Sequence, residues 1–418
     1  MNLAGYGTIT NYGQIDGSGN GVEANDLTLY NYGSVSFEKF GNTAILVSGS
    51  SYIDNYGSIG EIYFESTSVA NTLYNYGTIS GTIYDFSDNA TNTEQCYNAG
   101  TITAGSNGVA FISSGTAPSN FTNAGSIIGE VELFGGPADF NSTNGSVSGE
   151  IVAAAGSGVV IAGNTGGTVV GGSGNDVLTA NPTQTAANNA AKTTLDGRTG
   201  NNWLYGDGAF TTFDSGDNSA GTYNQMFGGH SQMGGVAGYA NNTVSYAGVS
   251  SSYKSAYIDL LHGDAYMCKI AKASGAPAAD LVFEDYLTNV PDVIGSSGSD
   301  VIICDNGVDR ITHGSGAGDV LYAGTGAGSQ DTFAYTSLSQ SPLANHDVIS
   351  GFKVGTDKVD LSALSMPAAD VFLSYGGNGG NTIYVEKNPA TGFNAATDMI
   401  ISVQASPHTA LGYGDLVL

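Results

Sequence analysis

The sequence predicts an all-β chain in two parts, a parallel β-solenoid over residues 1–170 followed by a parallel β-roll over residues 171–418. Three observations predict it. A string N-x-G-[TSQ]-[IV] returns every 20–25 residues in the first part, the length of one solenoid coil. Gly fills 63 of 418 positions without a G-X-Y period, which marks turn-rich β structure rather than collagen. No window shows the apolar period of a helix, whereas alternation of apolar and polar residues is common.

In the first part the string reads NYGQI at 11, NYGSV at 31, NYGSI at 55, NYGTI at 75, NAGTI at 98 and NAGSI at 123. Leu29, Ile53, Leu73, Cys96 and Phe121 stand two residues before the Asn, and Ile or Val stands four after it. That alternation predicts half-buried strands whose like residues stack from coil to coil. The repeated Asn is expected at a buried bend, its amide bonded to backbone groups of its own and adjacent coils. Cys96 falls in the apolar column and reads as a buried thiol. Tyr12, Tyr32, Tyr56 and Tyr76 form a second column, open to reading as a contact surface or as an ordinary exposed aromatic ladder.

Charge narrows the partners. The chain carries 37 acidic and 10 basic residues, a net charge of -27, and residues 1–170 contain one base, Lys39. Nucleic acid is excluded as a partner on this balance, and cations are favoured. The three cysteines, Cys96, Cys268 and Cys304, imply no disulfide framework. No run approaches the roughly 18 apolar residues of a membrane span. The first residues lack a basic segment followed by an apolar one, so an export signal is expected elsewhere.

The second part opens with GGSGNDVL at 171–178, which matches G-G-x-G-x-D-x-U at Gly171, Gly172, Gly174 and Asp176, with Asn175 between the last two. Downstream lie GSSGSDVI (Gly295, Gly298, Asp300), CDNGVDRI (Asp305, Gly307, Asp309), GSGAGDVL (Gly314, Gly316, Asp319) and GAGSQDTF (Gly326, Asp331). The glycine-rich six residues turn, and the x-U-x part forms a short strand with one aliphatic residue in a thin core. An aspartate at the sixth position of one turn then meets that of a neighbouring turn around a hard cation with oxygen ligands, and several Ca²⁺ ions are expected. In GRTGNNWL at 197–204 the sixth position holds Asn202, a poorer ligand. Residues 179–193 read as a polar insertion, and the Gly-rich stretch 209–240 has no assignment.

At these motifs the chain resembles the RTX (repeats-in-toxin, hemolysin-type) family of calcium-binding proteins. Two further stretches add to the resemblance: NTVSYAG at 242–248, and HDVISGFKVGTDKVDLSAL at 346–364, which is similar to the segment closing the β-roll of serralysin-type proteases. The resemblance implies type I export through an uncleaved C-terminal secretion segment (about 346–418) and an extracellular, cell-surface location.

Motifs for catalysis are missing. There is no H-E-x-x-H, no G-x-S-x-G and no phosphate loop. His230, His262, His313, His346 and His408 are dispersed, and each reads as a surface or turn residue. The leading expectation is a non-enzymatic, S-layer-like structural protein, self-assembling or adhesive, resembling surface-layer proteins and RTX adhesins. It would form a homo-oligomer or lattice, with cell-surface polysaccharide as a candidate partner. A solenoid beside RTX repeats also resembles polysaccharide lyases and epimerases, whose site would fall around His230, Tyr239, His262 and Tyr266. A third reading, an ice-binding adhesin, rests on the Thr/Ser column after the repeat Gly and is disfavoured by coils of unequal length.

Overall fold

The structure, a computed structural model, describes all residues except 38–42, 66–69, 89–92, 137, 154–158, 162–166, 181–191, 207–209, 217–221, 229–241, 251–252, 254 and 269–280. Most of the insertion at 179–193 and of the stretch at 209–240 therefore lies outside the described residues. The chain forms two compact units, Met1–Phe210 and Thr211–Leu418. Among the described residues every regular element is a strand or a short 3-10 turn.

The first unit is a parallel stack. One interior column runs Ile9, Leu29, Ile53, Leu73, Cys96, Phe121, Phe140, Val160, Leu178, Leu204 in unbroken register. A second runs Ile15, Val35, Ile59, Ile79, Ile102, Ile127, Val147, and a third runs Val22, Ile45, Ile62, Ile83, Phe111, Val131, Ile151, Val169, Leu195. Each coil thus buries one apolar residue per face, worth about 1.5–3 kcal/mol apiece. Cys96 keeps its place in the apolar column but is only partly covered, beside a small cavity lined by Asp85, Glu94 and Phe121.

The seven-stranded second face ends at Ser146–Val147. Beyond it the coils have two strands, and Ile151 faces Val169, eighteen residues on. The columns continue through Leu178 and Leu195, and the first unit runs past the turn at 171–178 to Phe210.

Repeat asparagines form a chain through the first unit. Asn11 Nδ2 donates to Asn31 Oδ1 at 2.8 Å, Asn31 to Asn55 at 2.8 Å, Asn55 to Asn75 at 2.7 Å, Asn75 to Asn98 at 2.7 Å and Asn98 to Asn123 at 2.8 Å. The same amides reach backbone carbonyls of the next coil, as Asn31 does to Ser58. Outside, the rings of Tyr12, Tyr32, Tyr56 and Tyr76 stack face to face 5.0–5.2 Å apart.

The second unit stacks two-stranded coils. Its columns are Phe213, Val244, Val293, Ile311, Phe333, Val359, Leu416 and Ile258, Ile302, Leu321, Ile349, Val403. Antiparallel pairs join the parallel ones: Ser255–Asp259 with Asp264–Cys268, and Val371–Gly377 with Gly380–Val385. The second hairpin turns on Asn378 and Gly379, both at positive φ (51° and 80°), the two-residue loop that suits a right-twisted hairpin.

Candidate metal centre

Asp300, Asp309, Asp319, Asp331 and Asp357 each stand immediately before a three-residue strand and Asp347 opens a six-residue one, so the aspartates stack as the strands do. Asp300, Asp319 and Asp347 form one column, and Asp309, Asp331 and Asp357 form the other, each at most 1 % exposed. One carboxylate oxygen bonds to a backbone N–H shortly before it. Ser296 donates to Asp300 Oδ2, Asp305 to Asp309 Oδ2 and Lys353 to Asp357 Oδ2, each from four residues back, and Gly324 donates to Asp331 Oδ2 from seven residues back, all at 2.7 Å. The other oxygen can reach across coils: Asp300 N–H donates to Asp319 Oδ1 at 2.8 Å, Asp319 N–H to Asp347 Oδ1 at 2.8 Å and Asp331 N–H to Asp357 Oδ1 at 3.1 Å.

Glycines let the backbone close around these carboxylates. A Cβ on Gly295 would lie 2.6 Å from Asp300 Oδ2, and one on Gly316 would lie 1.8 Å from the Gly298 carbonyl. Gly314 sits against the turn at 295–296 and Gly326 against Asn306. Gly307 donates to the side chain of Asp305, which is half-buried at the mouth of its turn.

The isolated turn repeats this pattern in the first unit. Gly172 N–H donates to Asp176 Oδ2 at 2.9 Å, and Asp176 N–H donates to Asn202 Oδ1 at 2.9 Å. A Cβ on Gly171 would meet Asp176 Oδ2 at 2.7 Å, and the Gly174 carbonyl lies where a Cβ on Gly200 would go. Asn175 accepts from Asn201 N–H on the next coil and stays exposed.

Burial raises these acids, outweighing Lys353 and Lys358 at Asp357 and His313 at Asp319. It pushes the Asp300 carboxyl up, reinforced by Asp319, and the Asp309 carboxyl up, reinforced by Asp305; Asp331 and Asp357 rise for the same first reason. The bases nearby are engaged elsewhere. Arg310 pairs with Asp360 at 2.8 Å, Lys353 donates to the Gly326 carbonyl and Lys358 to the Gly414 carbonyl.

The columns differ in how far protein groups satisfy them. In the first, Asp300 also accepts from Ala256 N–H at 2.7 Å and Ser296 Oγ at 2.6 Å, and an imidazole lies between the other two members. His313 Nδ1 is 3.0 Å from Asp319 Oδ2 and 3.1 Å from Asp347 Oδ2, with its ring stacked on Tyr335. Burial acts to lower the His313 pKa, but the bonds to Asp319 and Asp347 outweigh it and hold the pKa at about 9. His313 is therefore a buried positive partner, not the surface or turn residue read from the sequence. Buried oxygens without a hydrogen-bond partner occur in both columns, Asp347 Oδ2 in the first and Asp309 Oδ1 and Asp331 Oδ1 in the second, but only Asp347 has a base beside it, His313.

The calcium implied by the resemblance fits that second column, where orphaned carboxylate oxygens on successive coils face each other without a base. Asp309 and Asp331 would hold it, with Asp305 at the turn mouth, and the ion would supply the charge neutralisation the protein lacks there.

The sequence missed Asp347 and Asp357, which lie in the closing segment; the D-x-U string of Asp347-Val348-Ile349 and Asp357-Lys358-Val359 is the signal that finds them. Of the alternative catalytic candidates, His230 and Tyr239 lie outside the described residues. His262 Nδ1 is 2.7 Å from Asp259 Oδ2 on an exposed hairpin turn, and the half-buried Tyr266 hydroxyl is raised by burial and by Glu284.

Residues 285–411 match the family model described as Peptidase M10 serralysin C terminal. The match takes in the four clustered turns and both carboxylate columns, less than a third of the chain, and leaves out the turn at 171–178. No curated protein matches the chain. The segment with the stacked aspartates is thus similar to the C-terminal part of serralysins, an RTX-type β-roll.

Proposed function

We propose that the chain is a secreted, calcium-dependent structural protein of the cell surface, S-layer-like, whose second unit completes its fold when calcium binds and whose units assemble or adhere rather than catalyse. The observation that supports it most is the column at Asp309 and Asp331, two buried carboxylates on successive coils with unpartnered oxygens and no base beside them. Calcium at the roughly 0.1–1 mM of extracellular modules would bind the folded turns only, so its binding energy becomes folding energy. The stacked tyrosines of the first unit offer apolar area with a polar tip to a neighbouring copy or to a surface polysaccharide. Their faces are covered by one another, which leaves edges and hydroxyls for contact.

Purified chain with calcium should form multimers that dissolve on chelation, and it should not turn over alginate, pectate or casein. The His262–Asp259 pair favours one alternative, a polysaccharide-acting enzyme. Turnover that is abolished by His262→Ala or Tyr266→Phe would replace the structural reading with that one.

A further inference from the structure

Position 1 of each turn faces the carboxylate at position 6, as the glycines at 171 and 295 show by the oxygens their missing Cβ atoms would meet. Nine residues after Gly295 this position holds Cys304. Its thiol and the carboxylates of Asp309 and Asp331 offer ligand atoms that all lie within 4.8 Å of one another. The three residues are 2 %, 1 % and 0 % exposed. Ligand atoms at about 2.0–2.3 Å around one tetrahedral zinc ion lie roughly 3.3–3.8 Å apart, so the set closes when the three side chains draw in by at most about 1.5 Å. The orphaned Asp309 Oδ1 and Asp331 Oδ1 are the independent sign that this group lacks a partner.

Calcium takes oxygen ligands, whereas a thiolate selects softer ions of the zinc class. We infer that Cys304 Sγ, Asp309 and Asp331 form a binding site for a thiophilic divalent cation such as Zn²⁺, which would displace calcium from the two carboxylates of this rung when both ions are present. The inference rests on reading the stacked turns as cation sites. On binding, the metal–sulfur bond forms as the thiol proton leaves to solvent, and the thiolate with two carboxylates leaves the occupied site one negative charge.

Titrating the chelator-stripped full chain with Cd²⁺ or Co²⁺ tests this through the sulfur-to-metal charge-transfer band. A saturable band is expected, resistant to excess calcium. It should persist when Cys96 and Cys268 are both replaced by Ser and vanish in Cys304→Ser, with Cd²⁺ affinity falling on the order of 10–100-fold or more. Cys304→Ala guards against a folding artefact, because two small replacements with the same loss point to the ligand. A wild-type chain with no band, or a band that survives Cys304→Ser, overturns the site. Calcium-dependent folding measured on the same samples separates the two readings. No band with intact calcium folding removes the thiolate site alone, and a band without any calcium response keeps this site while removing the calcium reading.

Discussion

Both units carry buried polar columns beside a bend, but the first unit uses amides at the end of a strand and the second uses carboxylates at the start of one. An amide both donates and accepts, so Asn11 through Asn123 satisfy one another along the stack with no charge. A carboxylate only accepts. The aspartates therefore draw on backbone N–H groups, and stacking them accumulates negative charge that must be met from elsewhere. At Asp319 and Asp347 the protein meets it with His313; at Asp309 and Asp331 no protein group does. The difference teaches that one stacking geometry can be autonomous or cation-dependent according to the polar residue at a single position per coil.

The strongest way to break the comparison is to write the second unit's chemistry into the first. Asn55→Asp puts an unpaired charge between Asn31 and Asn75 and should destabilise the first unit by about 3–5 kcal/mol. Chemical denaturation followed by Trp203 fluorescence would show it, since this sole tryptophan lies in the first unit.

A smaller effect sharpens the rule, because the first unit also holds buried acids off the amide column, Glu94 and Asp85 among them. Glu94 accepts from Asn71 N–H, leaves Oε1 unpartnered, and is pushed from 4.5 to about 8, first by burial and then by Asp85. Its folded pKa lies above its unfolded one, so the native state binds the extra proton and stability falls as pH rises from near 4.5 through about 8. Glu94→Gln should remove that slope, stabilising the first unit relative to wild type by on the order of 2 kcal/mol at high pH and little at low pH. Denaturation midpoints of the two chains that stay parallel across the range would contradict this.

Within the carboxylate column, Asp309→Ala removes one of the two orphaned oxygens. It should raise the calcium concentration at half-folding about tenfold by circular dichroism, because affinity follows ligand charge count. Asp54→Ala, on a strand of the first unit, should leave that midpoint where it is. The smallest effect is expected outside both columns. Tyr32→Ala breaks two stacked contacts and should cost the first unit about 1 kcal/mol, read by the same Trp203 transition, with no change in calcium response.

Much of this was legible in the sequence. The N-x-G-[TSQ]-[IV] period names the interior columns because each apolar residue keeps a fixed offset from the Asn. The position-6 aspartates were legible at Asp176, Asp300, Asp309, Asp319 and Asp331, the last two in spite of slips in the glycine spacing. Asp347 and Asp357 were missed because their turns have lost most of the glycines and keep only D-x-U. His313 was missed because its partners are six and thirty-four residues away, and only stacking brings Asp347 to it. The side-chain bonds between asparagines were also hidden, since the sequence shows that the residues repeat but not that each amide prefers its own kind above and below. The boundary at 170 followed the motif, whereas the fold changes where the second face stops at Val147.

The central claim is that the amide stack stands alone and the carboxylate stack needs a cation. Hydrogen exchange on the full chain, with calcium and after chelation, tests it most directly. With calcium, the amides of Asp300, Asp319 and Asp331, which donate to carboxylates or backbone of adjacent coils, should be protected together with the rest of 295–333. After chelation that protection should collapse, while residues 30–130 stay protected. If the chelated chain keeps 295–333 as protected as before, or loses 30–130 alongside it, the division between an autonomous and a cation-dependent stack is wrong.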